Sequence, residues 1–145
     1  MKVSECMTPD VVIASPGDTI REAAQKMAQC DSGVLPVGED NRLVGMITDR
    51  DIAIRAVAKN LPPDTPVREV MSQEVLFCYD DEDLERVARN MGQHQVRRLA
   101  VIDRDKRLVG IISLGDVALG AAAPTTGEAV ADISRHGGRH DQTLH

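Results

Sequence analysis

Two stretches of the chain space their apolar residues three and four apart. Ile20, Ala23, Ala24 and Met27 form one stripe, and Leu84, Val87, Ala88 and Met91 form the other. That spacing predicts two amphipathic helices, each with one buried face. A start signal precedes each stripe. Thr19 with Glu22 three residues on reads as a capping box, and the acidic run Asp80 to Asp83 suits the positive pole of a helix start. Two short apolar runs follow each stripe, separated by a polar turn: GVLPV and RLVGMIT around GEDN, then RLAVI and RLVGIIS around DRDK. Such runs predict two strands per half, after which a second helical pattern begins.

The two halves are copies. "VSECMTPDVV" from Val3 lies over "VREVMSQEVL" from Val67, matching Val3, Glu5, Met7 and Val11 with Val67, Glu69, Met71 and Val75 at an offset of 64. One extra residue in the second turn makes the offset 65 for "RLVGMITDRDIAIRAV" from Arg42 and "RLVGIISLGDVALGAA" from Arg107. Each half reads as short strand, helix, strand, turn, strand, helix. About 50 residues of this kind cannot readily bury both faces of a three-stranded sheet. The expectation is therefore an α/β (α+β) fold of two β-α-β-β-α repeats packed face to face about a pseudo-twofold axis. Residues 1–60 are the first repeat and 67–120 the second. The linker is 61–66, inside the three-proline stretch "KNLPPDTP" from Lys59. Residues 121–145 are expected to be a mobile C-terminal tail, in which Thr125 and Glu128 could cap a short helix through Ile133.

Composition narrows the chemistry. The chain has 145 residues with 42% apolar content, enough for a core. It holds one Phe, one Tyr and no Trp, so a bound ring would be gripped mainly by aliphatic side chains. A formal charge of −6 argues against general binding to nucleic acid, whose phosphates need a basic face. No apolar run approaches the roughly 20 residues of a membrane span, and the N-terminal residues carry no secretion signal. The expected setting is cytoplasmic. Cys6, Cys30 and Cys78 have no metal-ligand spacing and cannot all pair with one another; they read as small hydrophobes in a reducing compartment. His136, His140 and His145 lack a fixed scaffold or carboxylate partners and read as solvated tail, not as a metal site. No catalytic constellation can be assembled around His94, which shares with Cys30 the end position of a long helix, so the chain is not expected to be an enzyme.

The repeated ending carries the remaining chemistry. Thr48 and Asp51, and again Ser113 and Asp116, stand three apart where a strand becomes a helix. Such a pair is an ordinary capping box. It also suits a sugar phosphate, the hydroxyl donating to phosphate and the carboxylate accepting from ribose hydroxyls. The doubled occurrence, each behind the same "RLVG", favours the second reading.

Together, "MTPDVV", "GVLPVGEDNRLVGMITDRD", "VMSQEVL" and "HQVRRLAVIDRDKRLVGIISLGD" resemble a tandem pair of cystathionine-β-synthase-type (CBS) domains, a Bateman module, from about Val3 to Gly120. The chain is most similar in plan to small stand-alone bacterial members with no enzyme or transporter attached, which implies a regulatory or stress-related role. The resemblance implies an adenosyl ligand, AMP, ADP, ATP or S-adenosylmethionine, held in clefts between the repeats, with no other cofactor required. Carried over, the stronger cleft has Ser113 toward phosphate and Asp116 on ribose, with Arg97 and Arg98 as cations and Ser15, Ile20, Val34 and Leu35 around adenine. The weaker has Thr48 and Asp51, with Arg50 as a partial substitute cation and Tyr79, Leu84 and Val96 across from them. The ranking follows from arginine's two-pronged grip on phosphate, since Gly33 and Val34 stand where the second copy has Arg97 and Arg98.

The resemblance also implies a homodimer, through a helical face of Ala53, Ile54 and Val57 with Val117 and Leu119, and a protein target to which the ligand's arrival is passed. Two other readings stand beside it. One is an interaction module whose clefts stay empty. The other is a redox or metal sensor using the cysteines with His94 or the tail histidines.

Overall fold

In the computed structural model, residues 1–121 and 123–134 are described. Their elements are β1 (Thr8–Pro9), α1 (Ile20–Cys30), β2 (Val34–Glu39), β3 (Arg42–Thr48), α2 (Asp49–Asp51), β4 (Phe77–Tyr79), α3 (Leu84–His94), β5 (Arg98–Ile102), β6 (Leu108–Ser113), α4 (Leu114–Gly120) and α5 (Ala123–Ile133). This is a mixed α/β chain. It forms two compact units. The α1 unit holds Val11–Val75 with Lys106–Leu108; the α3 unit holds Met1–Asp10, Leu76–Asp105 and the chain from Val109 onward.

Within the α1 unit, β2 and β3 form an antiparallel pair with Leu35 opposite Ile47, and a register shift at Val37/Gly38 marks a bulge. The apolar face of α1, Ile20, Ala23 and Met27, closes on Leu35, Val37 and Ile47, all buried. Thr19 caps α1 by accepting from the Glu22 N–H at 3.1 Å, and Asp31 ends it in the left-handed conformation, φ 51°. After the α2 turn the backbone widens into a π turn over Ile52–Ala56 and tightens into a 3₁₀ turn over Val57–Lys59.

The α3 unit has the strand order β1-β6-β5-β4, with β1 antiparallel to β6 and β4 parallel to β5. Leu84, Val87 and Met91 of α3 pack on Val101 and Ile112. Asp83 makes no side-chain cap at the start of α3 and instead faces the N-terminal amine at 3.8 Å. The acidic run thus pairs with a charge that sequence spacing did not suggest.

The opening segment of each repeat folds into the unit of the other. Val3–Glu5 forms one 3₁₀ turn in the α3 unit: the Val3 N–H donates to Glu82 O at 3.0 Å, the Ser4 N–H to Asp80 O at 2.9 Å, and the Leu84 N–H to Met1 O at 2.9 Å. Val67–Glu69 does the same in the α1 unit, where Val67 donates to Asp18 O at 2.7 Å, Arg68 to Pro16 O at 3.1 Å, and Ile20 to Thr65 O at 2.9 Å. Every residue in the first set lies 64 from its counterpart in the second. Val3 and Val67 are fully buried. These copies open each repeat as turns, not as strands. The extended segments come later, at Thr8–Pro9 and at Ala14, which bridges to Val37.

The glycine of each RLVG has the same cause. A Cβ on Gly45 would sit 2.7 Å from Met71 Sδ and 2.9 Å from Ser72 O; on Gly110 it would meet Met7 Sδ and Thr8 O, each at 2.8 Å. The exchanged segment lies directly against the strand, held by Met46 and Ser72 in one unit and by the β1–β6 pairing in the other.

Two expectations are corrected. The short helix expected through Ile133 is present as α5, but it is packed rather than part of a mobile tail: Ala129 and Ile133 are buried against α3, where Gly92 allows Ala129 Cα and the Asp132 side chain to come close. Gln95 Nε2 donates to Asp132 O at 2.8 Å. Small residues pack by close approach of backbones, and a segment with few large apolar side chains can dock in this way. His136, His140 and His145 lie outside the described residues. Val117, expected on the dimer face, is fully buried in the α3 core, because it follows Asp116 on the inward side of α4.

Gly45→Ala and Gly110→Ala are each expected to destabilise the protein by roughly 1–3 kcal/mol through overpacking, as measured by urea unfolding. Gly115→Ala is the control: its Cβ would meet only Ser113 Oγ, at 3.5 Å, so it is expected to be neutral or stabilising.

Candidate ligand-binding site

Both strand-to-helix corners carry a reciprocal hydroxyl and carboxylate bracket. Thr48 Oγ1 accepts from the Asp51 N–H and Asp51 Oδ2 from the Thr48 N–H, both at 3.0 Å. Ser113 Oγ accepts from the Asp116 N–H at 3.1 Å, and Asp116 Oδ2 from the Ser113 N–H at 2.9 Å. These bonds are the capping box, and they leave chemistry to spare. Each hydroxyl still has its proton to donate, and each carboxylate its other oxygen to accept with. The structural and ligand readings of the motif are thus compatible: the cap orients the groups a sugar phosphate would use.

The corners differ in what surrounds the spare oxygen. Asp51 Oδ1 faces Arg55 Nε at 3.8 Å, one helical turn on, while Arg55 Nη1 also donates to Val70 O and Met71 O at 3.3 Å. The counterpart of Arg55 beside Asp116 is Gly120. Among the described residues no cation pairs with Asp116. Arg97 and Arg98, at the entry to β5, are exposed, as is Arg50 in the α1 unit. Arg55 was legible in the sequence as an i,i+4 partner of Asp51 but was not singled out.

The residues expected around adenine fall in two groups. Ser15 is exposed, and Tyr79 and Val96 are partly exposed. Ile20 and Leu35 belong to the α1-unit core and Leu84 to the α3-unit core, with 4%, 1% and 1% exposure. Val34 is nearly as buried. Of the predicted sets, Ser113, Asp116, Arg97, Arg98, Tyr79, Leu84 and Val96 lie in the α3 unit, and Ser15, Ile20, Val34, Leu35, Thr48, Arg50 and Asp51 in the α1 unit.

Two polar clusters went unnoticed in the sequence. Asp18 Oδ2 accepts from the Ser15 N–H at 2.9 Å and from Lys26 Nζ at 3.1 Å, and Lys26 also donates to Ile13 O. The Ser15 amide, followed by Lys26, holds the Asp18 carboxyl below its ordinary value. In the α3 unit, Arg104 lies over the Tyr79 ring with Cζ 4.0 Å from the centroid, fixed by two bonds of 2.9 and 2.8 Å to Asp81. Phe77 meets the same ring edge-on at 5.8 Å. One face of the only tyrosine is therefore taken by a cation 25 residues away, a distance no local pattern spans.

Comparison with known proteins gives a family. The family model described as "CBS domain" matches residues 3–57 and 67–121. The CBS domain-containing protein YhcV of Bacillus subtilis is 44% identical over 133 residues, covering 91% of this chain and 94% of that protein. The crystal structure of hypoxic response protein I with two coordinated zinc ions superposes with a TM-score of 0.76 at 35% identity, over 84% of this chain and 100% of that one. CBSX2 of Arabidopsis thaliana in complex with AMP gives a TM-score of 0.73 at 28% identity, over 83% and 95%.

The cysteines are separated by burial. Cys78 sits inside the α3 core, where burial, reinforced by Glu82 and Asp80, pushes its thiol up to about 12. Cys30 is exposed at the last turn of α1, and Cys6 is partly exposed, its Sγ 2.9 Å from Met1 Sδ. Among the described residues no three His, Cys, Asp or Glu side chains converge as metal ligands. A thiol reagent at pH 8 is expected to modify Cys30 rapidly and Cys78 only on unfolding, as followed by mass spectrometry of peptides. Modification of native Cys78 at the rate of Cys30 would overturn that burial order.

Proposed function

The chain belongs to the CBS domain family as a tandem pair, and from that premise we propose that it is a regulatory, non-enzymatic module that binds an adenine nucleotide. The observation that carries this reading is the Ser113–Asp116 bracket, whose hydroxyl proton and second carboxylate oxygen have no partner among the described residues, with two exposed arginines, Arg97 and Arg98, at the entry to the neighbouring strand. Asp116 accepts from the ribose hydroxyls; Ser113 and the guanidiniums hold phosphate. Thr48, Asp51 and Arg50 form the second, weaker corner. Ser15, exposed, and Tyr79 and Val96, partly exposed, are the groups proposed for the base. The AMP complex of CBSX2 supports an adenosyl ligand.

The signal is a difference of affinities. A ligand shifts a conformational equilibrium only as far as it prefers one arrangement, and a partner protein reads the shift through the same coupling. The surface for association is apolar. Ile54, Val57 and Leu61 are exposed after α2, and Leu119 is 92% exposed on α4 at the position equivalent to Ile54. Large exposed apolar side chains on each unit suit protein contacts, and a homodimer using them is part of the proposal. An interaction module with unoccupied corners is the second reading, favoured by these same residues.

Calorimetric titration separates the two. AMP, ADP, ATP or S-adenosylmethionine is expected to bind saturably. Asp116→Asn, which keeps an acceptor for the Ser113 N–H, should weaken nucleotide binding by roughly 10- to 100-fold, the worth of a charge-assisted hydrogen bond. No heat and no change in melting temperature at millimolar ligand would leave the interaction module. For the dimer, light scattering of Ile54→Glu with Leu119→Glu is expected to report half the mass of the wild type; a wild-type monomer at high concentration would remove the dimer from the proposal.

A further inference from the structure

Corresponding backbone bonds identify corresponding positions in the two corners. The Asp49 N–H donates to Gly33 O at 2.9 Å in the α1 unit, and the Leu114 N–H donates to Arg97 O at 2.8 Å in the α3 unit. Position 33 is thus the counterpart of 97, and 49 of 114. Both members of the pair differ. A Cβ on Gly33 would lie 2.7 Å from Asp49 Oδ2 and 3.0 Å from its Cγ. The Asp49 carboxylate therefore fills the space in which a side chain at position 33 would begin. Glycine opposite aspartate is one solution of this corner, and arginine opposite leucine is the other.

The consequence is electrostatic. Where the α3 unit offers the exposed guanidinium of Arg97, the α1 unit offers an exposed carboxylate. The neighbouring cations do not reverse this. Arg55 is engaged by Asp51 and by two carbonyls, which leaves the exposed Arg50 as the one cation to set against Asp49. Asp49 and Asp51 against Arg50 and Arg55 leave no net positive charge, whereas Arg97 and Arg98 against Asp116 leave one. A phosphate carries up to two negative charges to such a corner and meets a carboxylate first.

Resting on the nucleotide reading above, we propose that the two corners select different ligands: the Thr48–Asp51 corner takes an adenosyl compound without phosphate, such as a nucleoside or a sulfonium, and Asp49 over Gly33 determines that selectivity. The Ser113–Asp116 corner takes the phosphate-bearing nucleotide. Specificity here comes from a repulsive element, a carboxylate placed against the wrong ligand, as much as from attraction to the right one.

The test uses the full chain carrying Asp116→Ala together with Arg97→Ala and Arg98→Ala, which strips the α3-unit corner of its ribose acceptor and both phosphate cations, titrated with adenosine, S-adenosylmethionine and AMP. Adenosine and S-adenosylmethionine are expected to bind, and AMP roughly tenfold more weakly than adenosine, with the gap narrowing as salt is raised. Adding Gly33→Arg with Asp49→Leu should bring AMP to at least the affinity of adenosine. Asp49→Asn, which keeps the shape and the glycine, should close most of the gap alone and stands in if the exchanged pair does not melt cooperatively. The proposal is overturned if AMP binds this triply substituted chain as tightly as adenosine, if neither substitution at Asp49 moves the ratio, or if that chain binds nothing while the wild type binds nucleotide. Failure of the wild type to bind any of the three would overturn the nucleotide reading itself, a result distinct from all of these.

Discussion

The structure depends on the exchange of opening turns between the two repeats. The first residues of α1 and α3 have backbone N–H groups without partners inside their own helices, as every helix start does. In this chain the Ile20 N–H goes to Thr65 O, at the end of the linker that leads into the second repeat, and the Leu84 N–H to Met1 O, just before the first. The same segments deliver Val3 and Val67, both fully buried, to the two cores. A single repeat would leave a helix start unsatisfied and a core position vacant. The chain therefore needs two copies for a reason more specific than total buried area.

That exchange also explains the phrase preceding each corner. Met7 and Met71 press on Gly110 and Gly45, in the strands that run into Ser113 and Thr48. A strand clamped on one side by the exchanged segment and on the other by its core enters its helix at a fixed angle. The bracket of hydroxyl and carboxylate then forms at the same place in both units. Binding groups held by caps and packing lose little freedom when a ligand arrives, and preorganisation of this kind raises affinity without adding contacts.

On this common frame the repeats have diverged where the frame is indifferent. Gly33 with Asp49, and Arg97 with Leu114, satisfy the same backbone bond and the same space with opposite charge. Beside the carboxylates of Asp51 and Asp116 the repeats differ too, with Arg55 in one and Gly120 in the other. Outside the corners, Gly92 and Gln95 give the α3 unit a covering helix, α5, whereas the corresponding face of α1 leaves Ala24 and Ala28 exposed. A duplicated fold can divide labour in this manner because each change is local and sterically compensated.

The sequence by itself determined the elements and the doubled corner. Helical stripes at Ile20 to Met27 and Leu84 to Met91, the strand pairs after them, and Thr48/Asp51 and Ser113/Asp116 are all set by spacings of a few residues, which a linear pattern contains in full. Tertiary structure decided the rest. It folded Val3–Glu5 and Val67–Glu69 as turns in each other's units. It drew Ile20, Leu35, Leu84 and Val117 into cores where a ligand or a partner had been expected to meet them, and it set Arg104 on Tyr79 and Asp49 over Gly33. These outcomes depend on contacts between residues far apart along the chain, such as Leu84 with Met1 and Arg104 with Tyr79. Hydrophobic period says that a residue is buried but not against what, and only the packed structure chooses its neighbours.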